Sequence, residues 1–211
     1  MSHPYRSDLN IMITRTCNAT CGHCSIESSP RNLRAMTSAV EEASDMITSY
    51  ASWPGARRVV FTGGEPFVDR SRLVRLAGHA RECGLRTAVE TNAYWAVTAD
   101  KAAAVVAATP IDDYLISASV FHAEFVAVQR VLNAHRAATE AGATARVRVA
   151  TWSPPSASDT ALLGQLRSQI GQADLQTITI VPAGRLLRLL PASTFGQGEL
   201  AADRCPADSI I

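Results

Sequence analysis

No apolar run in this 211-residue chain approaches the ~20 residues that a membrane-crossing helix requires. The opening MSHPYRSDLN has no basic stretch leading into an apolar one, so it does not read as a secretory signal. Charge of one sign is also missing: 20 Lys and Arg face 19 Asp and Glu, for a net +1. A near-neutral, interspersed surface argues against a non-specific nucleic-acid or membrane-surface binder. Aromatic residues are only 6% of the chain, too few for the stacking platforms that hold single-stranded nucleic acid. No internal repeat and no low-complexity tract stands out beyond a recurring strand–helix unit. The expectation is a cytoplasmic globular protein with no nucleic-acid or membrane partner.

Cysteine is scarce and unevenly placed. There are five, an odd number, and three of them fall within Cys17–Cys24. Metal-ligating thiolates in a reducing compartment explain that crowding better than a disulfide framework does.

The remaining pattern alternates strand and helix. Leu9–Thr14 reads as a first strand, followed by a helix over residues 38–50 with Val40, Ala43, Ile47 and Tyr50 on one face and Thr37 or Ser38 as its cap. Arg58–Thr62 is a second strand stopped by Gly63-Gly64; Leu73, Leu76, Ala77 and Ala80 then mark a helix closed by Gly84. Arg86–Glu90 forms a third strand, Thr98–Ala108 a helix, and Tyr114–Ser119 a fourth strand. Phe125, Val128, Leu132 and His135 predict one longer helix ending near Gly142. Arg146–Thr151 is a fifth strand, Ser158 or Asp159 caps a helix through Leu162, Leu166 and Ile170, and Thr177–Val181 is a sixth strand.

Strict alternation implies an α/β fold of parallel strands with right-handed crossovers. Periodicity alone does not choose between an open doubly wound sheet and a partial barrel. In either, functional residues belong at the C-terminal ends of strands. Cys17, Gly63, Asn92, Ser117 and Pro182 all fall there.

The sharpest signal is Cys17-Asn18-Ala19-Thr20-Cys21-Gly22-His23-Cys24, a C-x₃-C-x₂-C loop directly after a strand. Three thiolates can hold three irons of a 4Fe–4S cube and leave the fourth open, whereas an electron-transfer cluster normally takes four cysteines. A zinc site of the three cysteines with His23 is the alternative, but no second ligand pair lies nearby.

With Thr62-Gly63-Gly64-Glu65-Pro66 at the end of the next strand, the chain resembles the radical SAM superfamily, whose signatures are C-x₃-C-x₂-C and GGEP in that order. The likeness spans residues 9–184 and selects the partial (β/α)₆ TIM-like barrel with outer helices. The resemblance implies that Cys17, Cys21 and Cys24 ligate a 4Fe–4S cluster whose open iron is chelated by S-adenosylmethionine (SAM). Reductive cleavage of SAM then gives a 5′-deoxyadenosyl radical for hydrogen abstraction, with flavodoxin or ferredoxin as the reductant.

The remaining contacts are carried over position by position. His23 stands where an aromatic residue usually packs near adenine. Gly63 and Gly64 would let the backbone approach the methionyl ammonium, with Glu65 helping to fix it and Pro66 completing the motif. Asn92, in Thr91-Asn92-Ala93, would face the site. Ser117 stands where relatives place a ribose contact, and Ser119 replaces a usual aspartate. Arg148, or Arg146 on the same strand face, would meet the SAM carboxylate. Val181 and Pro182 would lie along the adenine. His122 and Glu124 would reach substrate or simply begin a helix.

The alternation stops after Gly184. Residues 1–184 are therefore read as the barrel core, and residues 185–211 as a C-terminal extension. Pro182-Ala183-Gly184-Arg185 with Arg204-Cys205-Pro206 resembles the exit toward an auxiliary-cluster (SPASM or twitch) domain, C-terminally truncated. Cys205 is then either a first auxiliary ligand or a free thiol, and Cys83 a small buried residue. That branch points to peptide or protein modification. Small-molecule chemistry on a sugar, nucleoside or cofactor precursor is the rival, and a non-catalytic iron–sulfur or zinc module is a third reading.

Overall fold

In the computed structural model, which describes residues 8–32 and 39–190, six strands form one parallel sheet. The strands are β1 (Leu9–Thr14), β2 (Arg58–Gly63), β3 (Arg86–Thr91), β4 (Asp113–Ala118), β5 (Thr144–Thr151) and β6 (Leu175–Thr179). Their order in space is their order in sequence, and every neighbouring pair is parallel. A doubly wound sheet reverses its order at a switch point, whereas this one never does. Right-handed crossovers therefore put every helix on the same side, which curves the sheet into a partial (β/α)₆ barrel. Thr37, Ser38 and Cys205 lie outside the described residues.

The outer layer comprises α1 (Val40–Ala51), α2 (Arg70–Glu82), α3 (Ala99–Ala107), a single turn α4 (Val120–Ala123), α5 (Val128–Glu140) and α6 (Ala157–Arg167). A short α7 (Arg185–Leu189) follows β6. Side chains alternate across a strand, and one set faces these helices. Ile11 and Ile13, Val59 and Phe61, Val89, Tyr114 and Ile116, and Val147 and Val149 pack with Ile47, Leu73, Leu76, Ala134 and Leu166 in one continuous core. Each fully buried large apolar side chain contributes about 1.5–3 kcal/mol. That wall is what holds the strand ends in place.

Three elements depart from the sequence expectation. The helix expected to begin with Phe125 is two pieces: Phe125 is 42% exposed between α4 and α5. Ala127, with ψ 138°, breaks the helical path ahead of α5, in which the expected Val128 and Leu132 do pack on the core, together with Val131. The cap of α6 is Ser156 rather than Ser158 or Asp159. Asp159 instead sits three residues into the helix and completes a capping box. β6 starts at Leu175, two residues before the expected Thr177, because its pairing with β5 begins at Val147↔Leu175.

Candidate functional site

The cysteine loop leaves β1 and closes on itself. Cys17 N donates to Ser29 O (3.2 Å), and Thr16 Oγ1 donates to Asn32 O (2.7 Å). Cys17 and Cys21 are buried, Cys24 is half-buried, and all three are free thiols. Two sulfurs are met by backbone donors: Ala19 N to Cys17 Sγ (3.4 Å) and Ser28 N to Cys24 Sγ (3.3 Å). Burial pushes the Cys17 thiol up to about 11 and, with its two neighbouring thiols, the Cys21 thiol up to about 12, while Arg185 pulls both back. Thiols this reluctant to ionise would give up their protons only to a bound metal, and the N–H donors would then stabilise the thiolates.

Among the described residues, no three His, Cys, Asp or Glu side chains converge closely enough for one metal ion.

Gly63 and Gly64 press against this loop. A Cβ on Gly63 (φ +137°) would lie 2.3 Å from Thr14 O, and one on Gly64 would lie 2.2 Å from Thr16 O. Only glycine permits that approach. It lets Gly64 N donate to Thr14 O (2.7 Å) and Glu65 N donate to Thr16 O (3.0 Å). The pair thus docks the end of β2 onto the residues leading into Cys17.

Glu65 is fully buried. Its Oε1 accepts from Thr91 Oγ1 (2.8 Å) and Phe67 N (3.2 Å), and its Oε2 accepts from Asn92 N (2.7 Å). Burial pushes its carboxyl up to about 7, against the pull of those donors. The carboxylate expected near the methionyl ammonium is therefore engaged by protein donors and joins the ends of β2 and β3. Pro66 follows at the start of a 3₁₀ turn, Pro66–Asp69. Asn92 Nδ2 donates to Asn18 Oδ1 (2.9 Å) and reaches Cys17 Sγ at 3.7 Å, so this side chain lies against the cysteine loop.

An aromatic wall stands on the loop's other side. His23 stacks on Phe121 (4.9 Å between ring centroids, 26°) and meets His122 edge-on (4.9 Å, 81°); Phe121 in turn meets Trp152 at 5.9 Å. Burial lowers His23 to about 4, and its Nδ1 is buried without a hydrogen-bond partner among the described residues. A neutral ring with one unmatched nitrogen suits a flat, polar-edged ligand. Burial lowers His122 further, to about 3, with its Nδ1 at 2.8 Å from Ser119 Oγ. Ser119 Oγ also accepts from His122 N (3.1 Å) and caps α4. The serine at the aspartate position is therefore occupied by its own helix.

The inner barrel face carries polar groups at mid-height. Glu90 accepts from Thr62 Oγ1 (3.1 Å) and from Arg148 Nη1 (3.1 Å), bridging over β4 where Ser117 pairs with Arg148. Ser117 is half-buried. Arg146 is exposed, so of the two arginines Arg148 is the one tied into the barrel interior. Val181, beyond the end of β6, is 69% exposed. Glu90 escaped sequence reasoning, although its position two residues before Asn92 on β3 could have flagged it. Arg185 also escaped it: the side chain donates to Cys21 O and Ser28 O, contacts that no local pattern announces.

A family model described as the Radical SAM superfamily matches residues 11–156. The chain is 28% identical over 97 residues to the "Putative peptide biosynthesis protein YydG" of Bacillus subtilis (strain 168), covering 46% of this chain and 30% of that protein. It is 38% identical over 80 residues to the Fe-coproporphyrin III synthase of Methanosarcina barkeri (strain Fusaro / DSM 804), covering 38% and 19% respectively. A solved structure titled "Native anSMEcpe with bound AdoMet" superposes with a TM-score of 0.57 at 14% identity, over 82% of this chain and 52% of that one, which is a likeness of fold. The chain thus spans under a third of the curated relatives' length and about half of the solved one.

Proposed function

Because the chain belongs to the radical SAM superfamily, we propose that it is an enzyme in which Cys17, Cys21 and Cys24 hold a 4Fe–4S cluster, SAM completes the site, and the substrate is a peptide or protein. The observation that carries the first part is the cysteine loop itself: three free thiols, two of them met by N–H donors, on a loop pinned by Gly63 and Gly64. When bound, the cluster and SAM supply a carbon radical for hydrogen abstraction from substrate. Every other task falls to the protein.

Asn18 and Asn92 fix the loop against β3. His23, with Phe121 behind it, offers a stacking face and one unmatched ring nitrogen to the adenine. Arg148, steadied by Glu90, presents a guanidinium from the barrel wall toward the SAM carboxylate. Ser117 lies beside it for the ribose. Flavodoxin or ferredoxin is the proposed electron donor, in the cytoplasm. No described helix is long and apolar enough to cross a membrane.

The peptide reading is supported by two things. One relative is named for peptide biosynthesis. Among the described residues, Gln176–Thr179 of the edge strand β6 are also exposed, an edge that suits pairing with an extended chain. The exit Pro182–Arg185 supports the SPASM or twitch-type branch. A small-molecule substrate is the second reading, favoured by the relative named as a coproporphyrin synthase.

Cluster and substrate are tested separately. Replacing Cys21 with Ala should abolish iron–sulfur absorbance after anaerobic reconstitution; an unchanged spectrum refutes the ligand assignment. Release of 5′-deoxyadenosine should rise when short peptides are added. Stimulation by sugars, nucleosides or porphyrin precursors instead would overturn the peptide reading.

A further inference from the structure

Past β6 the sequence reads as an extension, yet its first residues are built into the cysteine loop. Gly184 (φ +54°) passes so close that a Cβ would lie 2.2 Å from Ser25 O and 2.5 Å from Cys24 O. The next residue, Arg185, donates its backbone N–H to Cys24 O (3.1 Å). Its guanidinium is forked: Nη1 donates to Cys21 O and Nη2 donates to Ser28 O (2.6 Å). One residue therefore satisfies three carbonyls across the span that presents two of the three thiols.

The anchor behind this fork is firm. Leu186 is 1% exposed and packs with Ala150 and Ile180, and Arg188 pairs with Glu27 on the same loop. The guanidinium partners among the described residues are carbonyl oxygens, so no carboxylate there neutralises the charge.

We infer that Arg185 is a positioning residue for the cluster: its fork fixes the loop from Cys21 to Ser28, and its positive charge raises the reduction potential of a cluster bound there. This rests on the ligand assignment proposed above. The two halves have different chemical requirements. Holding two carbonyls at once needs the planar guanidinium fork, which lysine lacks. Favouring the reduced, more negative cluster needs only a positive charge nearby, which lysine keeps.

The test uses the full chain, reconstituted anaerobically, as wild type, Arg185→Lys and Arg185→Gln. Potentiometric titration followed by electron paramagnetic resonance reads the cluster potential, and iron loss to a chelator reads its retention. Arg185→Gln should shift the potential to more negative values and weaken retention about 10–100-fold, the usual cost of removing a partner behind a metal ligand. Arg185→Lys should keep a potential near wild type while losing retention. Wild-type potential and retention in Arg185→Gln would overturn the inference. Equal retention in Arg185→Lys and wild type would overturn the fork.

Amide exchange in the metal-free chain keeps the test independent of loading. Backbone amides from residue 24 to 28 should exchange at least about tenfold faster in Arg185→Lys than in wild type, because the loop opens locally. Unchanged exchange contradicts the positioning role. A wild-type chain that takes up no iron–sulfur cluster is a different failure, that of the ligand assignment.

Discussion

A carboxyl sealed from water among hydrogen-bond donors is pulled two ways, and Glu65 shows both pulls. Its donors favour the charged form, while complete burial favours the neutral one and prevails, leaving the group at about 7 against an ordinary 4.5. Between those values the folded chain keeps a proton that the unfolded chain has released. The contribution of Glu65 to stability is therefore fully present below about pH 4.5 and is lost as pH rises through about 7. In urea titrations of the metal-free protein, the stability difference between wild type and Glu65→Gln should shift against wild type from pH 5 to pH 8. A difference independent of pH contradicts this. Glu65→Ala, which strands the donors of Phe67, Thr91 and Asn92, should cost at least about 2 kcal/mol, since each buried donor left unmatched costs ~1–3 kcal/mol. This role was only half legible in the sequence. The motif marks Glu65 as special, but its partners come from the next strand, and only folding brings them together.

At the scale of elements, the strands are legible in the sequence because their apolar runs are bounded by glycine, proline and polar residues. Helix starts were read less well, since several serines and acidic residues compete for each cap. At α6, Ser156 accepts from Asp159 N (3.1 Å), and Asp159 Oδ2 accepts in return from Ser156 N (2.9 Å). The exposed Ser158 has no such reciprocity. Ser156→Ala should lower stability by ~1 kcal/mol, and Ser158→Ala should stay within about 0.5 kcal/mol, as measured by thermal or urea denaturation. Equal effects would sink the capping-box assignment. The split between α4 and α5 was hidden because Phe125 falls in helical phase with Val128, while the break depends on Ala127, a residue that announces nothing.

At the scale of the whole molecule, the proposed site lies where the strands end, and the order β1 to β6 makes those ends a single rim. The rim was legible wherever the determinants are local. Three cysteines within eight residues and two adjacent glycines can be read directly, and the alternation dictates that both lie at strand ends. It was illegible wherever the determinant is a meeting of distant segments. Arg185 lies more than 150 residues from both loop carbonyls it holds, and Glu90 meets Thr62 and Arg148 only because three strands curve round one interior. In the proposed function, this rim cleaves SAM by one-electron reduction. The direct measurement is 5′-deoxyadenosine released by the anaerobically reconstituted chain supplied with SAM and dithionite. Release that requires dithionite and disappears in Cys21→Ala is the predicted result. An intact 4Fe–4S spectrum with no release under any reductant would contradict it.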